Sequence, residues 1–213
     1  MTDSVRHYSS ADRLIQRFAD GLRALSPAEE ARPLPVAAAP GPLSEEERKA
    51  AADLMRINHA GEVAAQGLYH GQALVAREPE LRRHLLEAAR EERDHLQWCA
   101  ERLRQLQDHP SRLSPFWYAG SVAIGALAGL SGDRKSLGFV AETERQVSAH
   151  LQDHLRRLPE SDRASRAVVQ AMKADEERHG AEALAAGGAL PPAPVRGLMR
   201  AVAGVMKFGA TRF

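Results

Sequence analysis

Four apolar helix stripes in this chain each carry a glutamate on the side that a helix normally buries. No other feature constrains the fold as strongly. In "EAAREERDHLQWCAERL" and the turns around it, Leu85, Ala89, Leu96, Cys99, Leu103 and Leu106 recur at the spacing of one helix face, and Glu92 falls on that face. Leu137, Val140, Val147, Leu151, Leu155 and Leu158 form a second stripe, which includes Glu144 but not Glu142. Leu54, Ile57, Gly61, Ala65 and Leu68 form a seam bordered by Glu62, and "ADEERHGAEAL" supplies Glu176. Burying carboxylates without partners costs several kcal/mol per charge. The neighbouring stripe positions are apolar, so basic partners are scarce. A pair of divalent cations supplies the missing charge.

Two of the four glutamates are followed one turn later by a histidine, Glu92 by His95 and Glu176 by His179. The order along the chain is Glu, Glu-x-x-His, Glu, Glu-x-x-His. Glu92 follows Glu62 by 30 positions and Glu176 follows Glu144 by 32. Two helical hairpins related by a pseudo-twofold axis would bring all six residues to one centre. This is the carboxylate pattern of a ferritin-like four-helix bundle. Carboxylate with imidazole suits iron or manganese better than magnesium, and the lack of Cys ligands argues against structural zinc. Either motif alone fits a solvated run with internal i,i+4 pairs; the six-residue set on core stripes favours burial. The register has one soft spot, because Glu91 and Asp175 lie four residues before His95 and His179. His150, six residues after Glu144, is a candidate second-layer or proton-relay residue. His59, His70, His84, His109 and His154 share no such geometry and are expected at the surface.

The periodicity predicts an all-α chain. A short amphipathic helix is expected over residues 10–25, then a Pro- and Ala-rich linker or extended wrap. Helices follow over about 44–76, 80–107, 115–130, 135–158, 161–186 and 194–208, the first opened by a Ser44/Glu47 capping box. This divides the chain into an N-terminal extension, 1–43, and a bundle domain, 44–213, with an extra apolar helix and a C-terminal amphipathic helix. The extra helix comes from Leu113 to Gly132, 20 residues without a charge. Its Gly, Ala and Ser content and its leading aromatics, Phe116, Trp117 and Tyr118, favour a helix lying in a membrane interface over a true span, with a buried core helix as the alternative. In the tail, Val195, Leu198, Met199, Val202, Val205 and Met206 share a face, and Arg196, Arg200, Lys207 and Arg212 add positive charge, as in membrane-surface helices.

At 44% hydrophobic and 27% charged, the 213 residues describe a globular protein. A net charge of +1 argues against a nucleic-acid partner. The lone Cys99 rules out an intramolecular disulfide and reads as a core residue. The N-terminus has no apolar signal region, which points to a cytosolic, bacterial protein. Neither a G-x-G-x-x-G loop nor a Cys cluster is present to hold a flavin, nicotinamide or iron–sulfur group. A different ferritin-like di-metal activity and a metal-free helical scaffold at a membrane surface are the competing readings.

"LMRINHAGEVAAQGLYHGQ", "EERDHLQWCAERL", "GFVAETERQVSAHLQDHL" and "DEERHG" closely resemble the bacterial demethoxyubiquinone hydroxylases, also called 2-polyprenyl-3-methyl-6-methoxy-1,4-benzoquinol monooxygenases. The resemblance spans about residues 44–213. It implies a ferritin-like di-iron monooxygenase of ubiquinone biosynthesis, with two iron ions per chain held by Glu62, Glu92, His95, Glu144, Glu176 and His179. It implies O2 and a membrane-embedded polyprenyl quinol as substrates, an external electron donor (the quinol itself or an NADH-linked reductant), and peripheral binding to the cytoplasmic face of the bacterial membrane. His150 matches a family histidine; animal-type members place Tyr after it, where this chain has Leu151. Phe116, Trp117 and Tyr118 are candidate walls of a substrate mouth, homo-oligomer formation is left open, and the first 43 residues look specific to the longer bacterial branch.

Overall fold

The structure is a computed structural model that describes residues 32–35 and 42–213. The helix expected over residues 10–25 lies outside the described residues. Six helices follow one another: α1 Glu45–Val75, α2 Pro79–Gln105, α3 Ser114–Leu130, α4 Asp133–Arg157, α5 Arg163–Ala185 and α6 Ala193–Ala210. Their ends lie within two residues of the expected ones, because capping chemistry marks them. Ser44 Oγ accepts the Glu47 N–H at 3.2 Å while Glu47 accepts the Ser44 N–H at 2.8 Å, which closes the predicted capping box. Pro79 opens α2, where its missing N–H costs nothing. Asp133 accepts the N–H groups of Arg77 and Glu78, so one carboxylate ties the α1–α2 turn to the start of α4.

Helices α1 and α2 form one antiparallel hairpin and α4 and α5 another, with α3 as the crossover, and no strand occurs among the described residues. This is a ferritin-like bundle. Two core clusters fill it. Met55, Cys99, Leu103, Leu151, Val168 and Met172 pack at one end; Tyr69, Ala73, Leu85, Val140 and Ala183 pack at the other. Along every one of the four helices the sequence crosses from one cluster to the other at the predicted glutamate. Arg102 and Asp162, both buried, pair at 2.8 Å and join the end of α2 to the start of α5. Leu34 and Leu43, although N-terminal to the bundle, pack against the first cluster.

The small residues of α3 have a different use from the interfacial one expected. They let α3 lie directly against α1. A Cβ on Gly67 would stand 2.6 Å from the Tyr118 carbonyl oxygen, and Gly71 and Gly125 press on the backbone of Val122 and Leu68 just as closely. The opposite face of α3 exposes Phe116, Ile124, Leu127 and Leu130. Helix α6 also turns Val195, Leu198, Val202, Val205 and Phe208 outward. Among the described residues, no helix is long and apolar enough to cross a membrane.

Candidate metal centre

All six predicted ligands are buried, none more than 4% exposed. Each lies between the two core clusters along its helix, so the packing that buries the stripe also buries the carboxylate. Glu62, Glu92, His95 and Glu176 each offer a ligand atom, and these atoms lie within 4.8 Å of one another. His95 Nδ1 stands 3.0 Å from Glu92, 3.3 Å from Glu176 and 3.6 Å from Glu62. His179 Nδ1 stands 3.4 Å from Glu92 and 3.8 Å from Glu176. Glu92 and Glu176 therefore face both histidines, while Glu62 faces His95. Glu144 adjoins Glu176 and accepts a 2.5 Å hydrogen bond from Tyr69.

The electrostatics of the cluster are those of a site short of positive charge. Burial pushes the Glu62 carboxyl well up, and the charges of Glu92 and Glu176 add to it. Burial, then the charge of Glu176, does the same to Glu144. Burial opposes a charge on His179, yet hydrogen bonds with Glu176 and Glu92 outweigh it and push that imidazole up to about 11. Protons on imidazole thus supply charge where no Lys or Arg enters. Glu92 Oε1, Glu144 Oε2, Glu176 Oε2 and His179 Nδ1 are buried without a hydrogen-bond partner. Three unpartnered carboxylate oxygens, with the inward-facing Nδ1 of His179 once it gives up its proton, are the donor set that a bound cation pair would use. Glu142 is the contrast. It is buried too, although off the stripe, but Arg145 holds its carboxylate at 2.7–2.8 Å and keeps its pKa low.

The outer nitrogens of the two histidines are each held by a carboxylate from the opposite hairpin. His95 Nε2–H donates to Asp175 of α5 at 3.0 Å, and His179 Nε2–H donates to Glu91 of α2 at 3.0 Å. These are the two residues of the soft register. They are not rival ligands; they fix the ring so that Nδ1 faces inward. Their signal was in the sequence, an acid four residues before each histidine. Each carboxylate has an arginine behind it: Arg178 lies 2.6 Å from Glu91, and Arg32 lies 2.8 Å from Asp175. Tyr69 was also missed, although it lies two helical turns after Glu62 and so on the same face.

Other predicted residues separate. His150 is half-buried; its ring stands edge-on to His154 at 5.0 Å, and its charged neighbours are His154 and Lys207 rather than the six ligands. His59 and His154 are buried rather than exposed, as a helix inside a bundle offers more than one covered face. His70 is partly covered and bonds the Tyr118 hydroxyl at 3.0 Å, while His84 and His109 are partly and fully exposed. The aromatic trio splits three ways. Phe116 is 72% exposed, Trp117 packs on Gly209 of α6, and Tyr118 is buried beside Val63 and Leu96. A narrow cleft between α1 and α4, too tight to hold a water molecule, is lined by Leu68, Tyr69, Gln72, Val140, Thr143 and the ligand Glu144.

The family model for ubiquinone biosynthesis protein COQ7 matches residues 49–210. A 3-demethoxyubiquinol 3-hydroxylase of Xanthomonas oryzae pv. oryzae is 54% identical over 99% of this chain and 98% of its own. The protein of that name from Bordetella parapertussis is 57% identical over 94% of this chain and 92% of its own. That of Ralstonia pickettii is 55% identical over 94% of this chain and 99% of its own.

Proposed function

This chain belongs to the COQ7 family of ubiquinone-biosynthesis proteins, and from that premise we infer how its buried cluster serves the reaction. The chain is a hydroxylase that uses O2 to hydroxylate the ring of demethoxyubiquinol. The observation that carries the metal reading is the set of four orphaned atoms on Glu92, Glu144, Glu176 and His179. Two iron ions would sit among Glu62, Glu92, His95, Glu144, Glu176 and His179. They would supply O2 activation, placing one oxygen atom on a ring carbon and releasing the other as water with two electrons from a donor.

The protein's share is position and proton control. Glu92 and Glu176 serve both halves of the site, and Glu62 and Glu144 serve one each. Tyr69, hydrogen-bonded to Glu144 at the inner end of the α1–α4 cleft, holds a proton where a ring would arrive. The cleft is too tight for a water molecule, which keeps solvent from the approach. Phe116, Leu127 and Leu130 on α3 and Leu198, Val205 and Phe208 on α6 are exposed on the elements that flank the cleft. They support peripheral docking on the cytoplasmic face of the bacterial membrane, with the head group entering while the polyprenyl tail stays in hydrocarbon. The electrons come from outside the chain, from the quinol itself or an NADH-linked reductant.

The test is the iron content of protein from iron-replete cells, beside the Glu92→Ala, Glu176→Ala double variant. About two ions per chain, as the six-ligand di-iron pattern requires, lost in the variant and matched by quinol hydroxylation in vesicles, are expected. A wild-type chain without metal would sink the reading.

A further inference from the structure

The two histidines meet matched carboxylates but are served by unmatched arginines, and that mismatch assigns a role to a piece of the N-terminal extension. On the His179 side everything is local. Arg178, the residue just before the histidine, pairs with Glu91 at 2.6 Å and lies 3.3 Å from His179 Nε2. On the His95 side the residue just before the histidine is Asp94, so the charge at that position is inverted. Helix α2 therefore supplies no arginine at that position. Arg32 supplies one from outside the bundle. Its Nε bonds Asp94 at 2.6 Å, its backbone N–H bonds the same carboxylate at 3.1 Å, and its Nη2 bonds Asp175 at 2.8 Å while lying 3.5 Å from His95 Nε2.

Two further contacts seat this segment. Trp98 donates its indole N–H to the Arg32 carbonyl at 2.9 Å, and the guanidinium lies 4.8 Å from the Trp98 ring centre. Leu34 then packs on the lower core cluster. The division of labour on Asp175 is also informative. Its Oδ1 faces Arg178 at 3.4 Å, but the atom that holds His95, Oδ2, is the one Arg32 bonds. A half-exposed ion pair adds little to global stability. A guanidinium fork that fixes one carboxylate oxygen fixes what that oxygen orients.

We propose that Arg32–Leu34 is a strap whose arginine is a positioning residue for the metal centre, holding Asp175 and through it the His95 imidazole, in the place that Arg178 fills for His179. Arg32 touches neither metal nor quinol; it acts through Asp175. The proposal rests on the di-iron reading above.

The test uses full-length protein loaded with ferrous iron and mixed with excess ferrous chelator, with release of the two equivalents timed separately. In Arg32→Met one equivalent leaves about tenfold faster, the lower end of what loss of an outer-layer partner does, and the other leaves at the wild-type rate. Asp175→Asn accelerates the same equivalent, and the double variant is no faster than Asp175→Asn alone. Arg32→Lys, which keeps the charge and loses the fork, lies between. Leu34→Ala, which loosens the seat of the same segment, speeds the same equivalent by less than Arg32→Met does. The strap is overturned if Arg32→Met releases iron at the wild-type rate, speeds both equivalents alike, or multiplies with Asp175→Asn. It is equally overturned if Leu34→Ala speeds the other equivalent instead. A wild-type chain that takes up no ferrous iron overturns the di-iron reading and the strap together, which separates that failure from the strap's own.

Discussion

The α1–α2 hairpin and the α4–α5 hairpin present the same inner residues and different surroundings. Each supplies a lone glutamate, then Glu-x-x-His, and each lends a carboxylate to the other's histidine: Glu91 to His179 and Asp175 to His95. Beyond that layer they diverge. Glu144 is held by Tyr69, while the contact found for Glu62 is with His95 itself. His179 has an arginine from its own helix, and His95 has one from a segment that precedes the bundle. Inner ligands to a metal pair would have to match. Outer partners need only deliver charge and a fixed oxygen, so any nearby backbone can carry them.

Four changes would break or sharpen this comparison. The largest effect is expected at the residues both halves share. Glu92→Ala should leave almost no bound iron, whereas Glu62→Ala, facing His95 alone, should leave about one ion per chain, since metal binding follows the surviving ligand set. Iron analysis after gel filtration checks both; equal losses would remove the distinction between shared and private ligands.

Next in size is the clamp that ties the halves together. Asp162→Ala strands the buried Arg102 guanidinium and removes the cap on the Ser165 N–H. A cost of about 3–5 kcal/mol is expected in denaturant unfolding, the usual result of breaking one partner of a buried pair.

Acid tests one buried histidine from each half. Burial lowers both His59 and His154 from 6.5 to about 4, so both are neutral in the folded chain. The unfolded chain binds their protons first. Stability is therefore full above about pH 6.5 and is lost as pH falls toward 4, by about 3 kcal/mol for each histidine at the low end. His154→Gln should flatten the acid slope of urea unfolding by about its own share. An unchanged slope would mean that His154 is not held neutral.

The smallest effect separates Glu144 from Glu62. Tyr69→Phe removes one hydroxyl and leaves Glu144 Oε1 without its donor, which should cost about 1 kcal/mol of stability. Because the same hydroxyl faces the cleft, turnover of the quinol should fall further than stability does. A variant with unchanged turnover would reduce Tyr69 to a packing residue.

The contrast between α3 and the four ligand helices explains what could be read in advance. On the ligand helices a polar residue interrupts an apolar stripe, and the interruption itself was the signal. On α3 nearly every residue is small or apolar, so periodicity gave no face. Its glycines serve close packing on α1, a use that only the partner helix reveals. Tyr118 likewise looked like part of one aromatic cluster, but adjacent positions on a helix point about 100° apart, and only Phe116 stayed outside. The buried positions of His59 and His154 were missed for a related reason, since each lies off the stripe used to define the core.

What the sequence determined by itself is local. Glutamate and histidine three residues apart share a helix face whatever the tertiary fold, and two such faces beside two more that each carry a lone glutamate leave a metal pair as the economical solution. The acids four residues before each histidine were visible too, though only the assembled bundle showed that each serves the opposite helix. What tertiary structure decided is which distant groups complete the shell. Arg32 meets Asp94 across 62 positions and Asp175 across 143, and no periodicity of 3.6 residues reaches that far. Those contacts exist because helices α2 and α5 pack side by side and bring Asp94 and Asp175 within reach of one guanidinium.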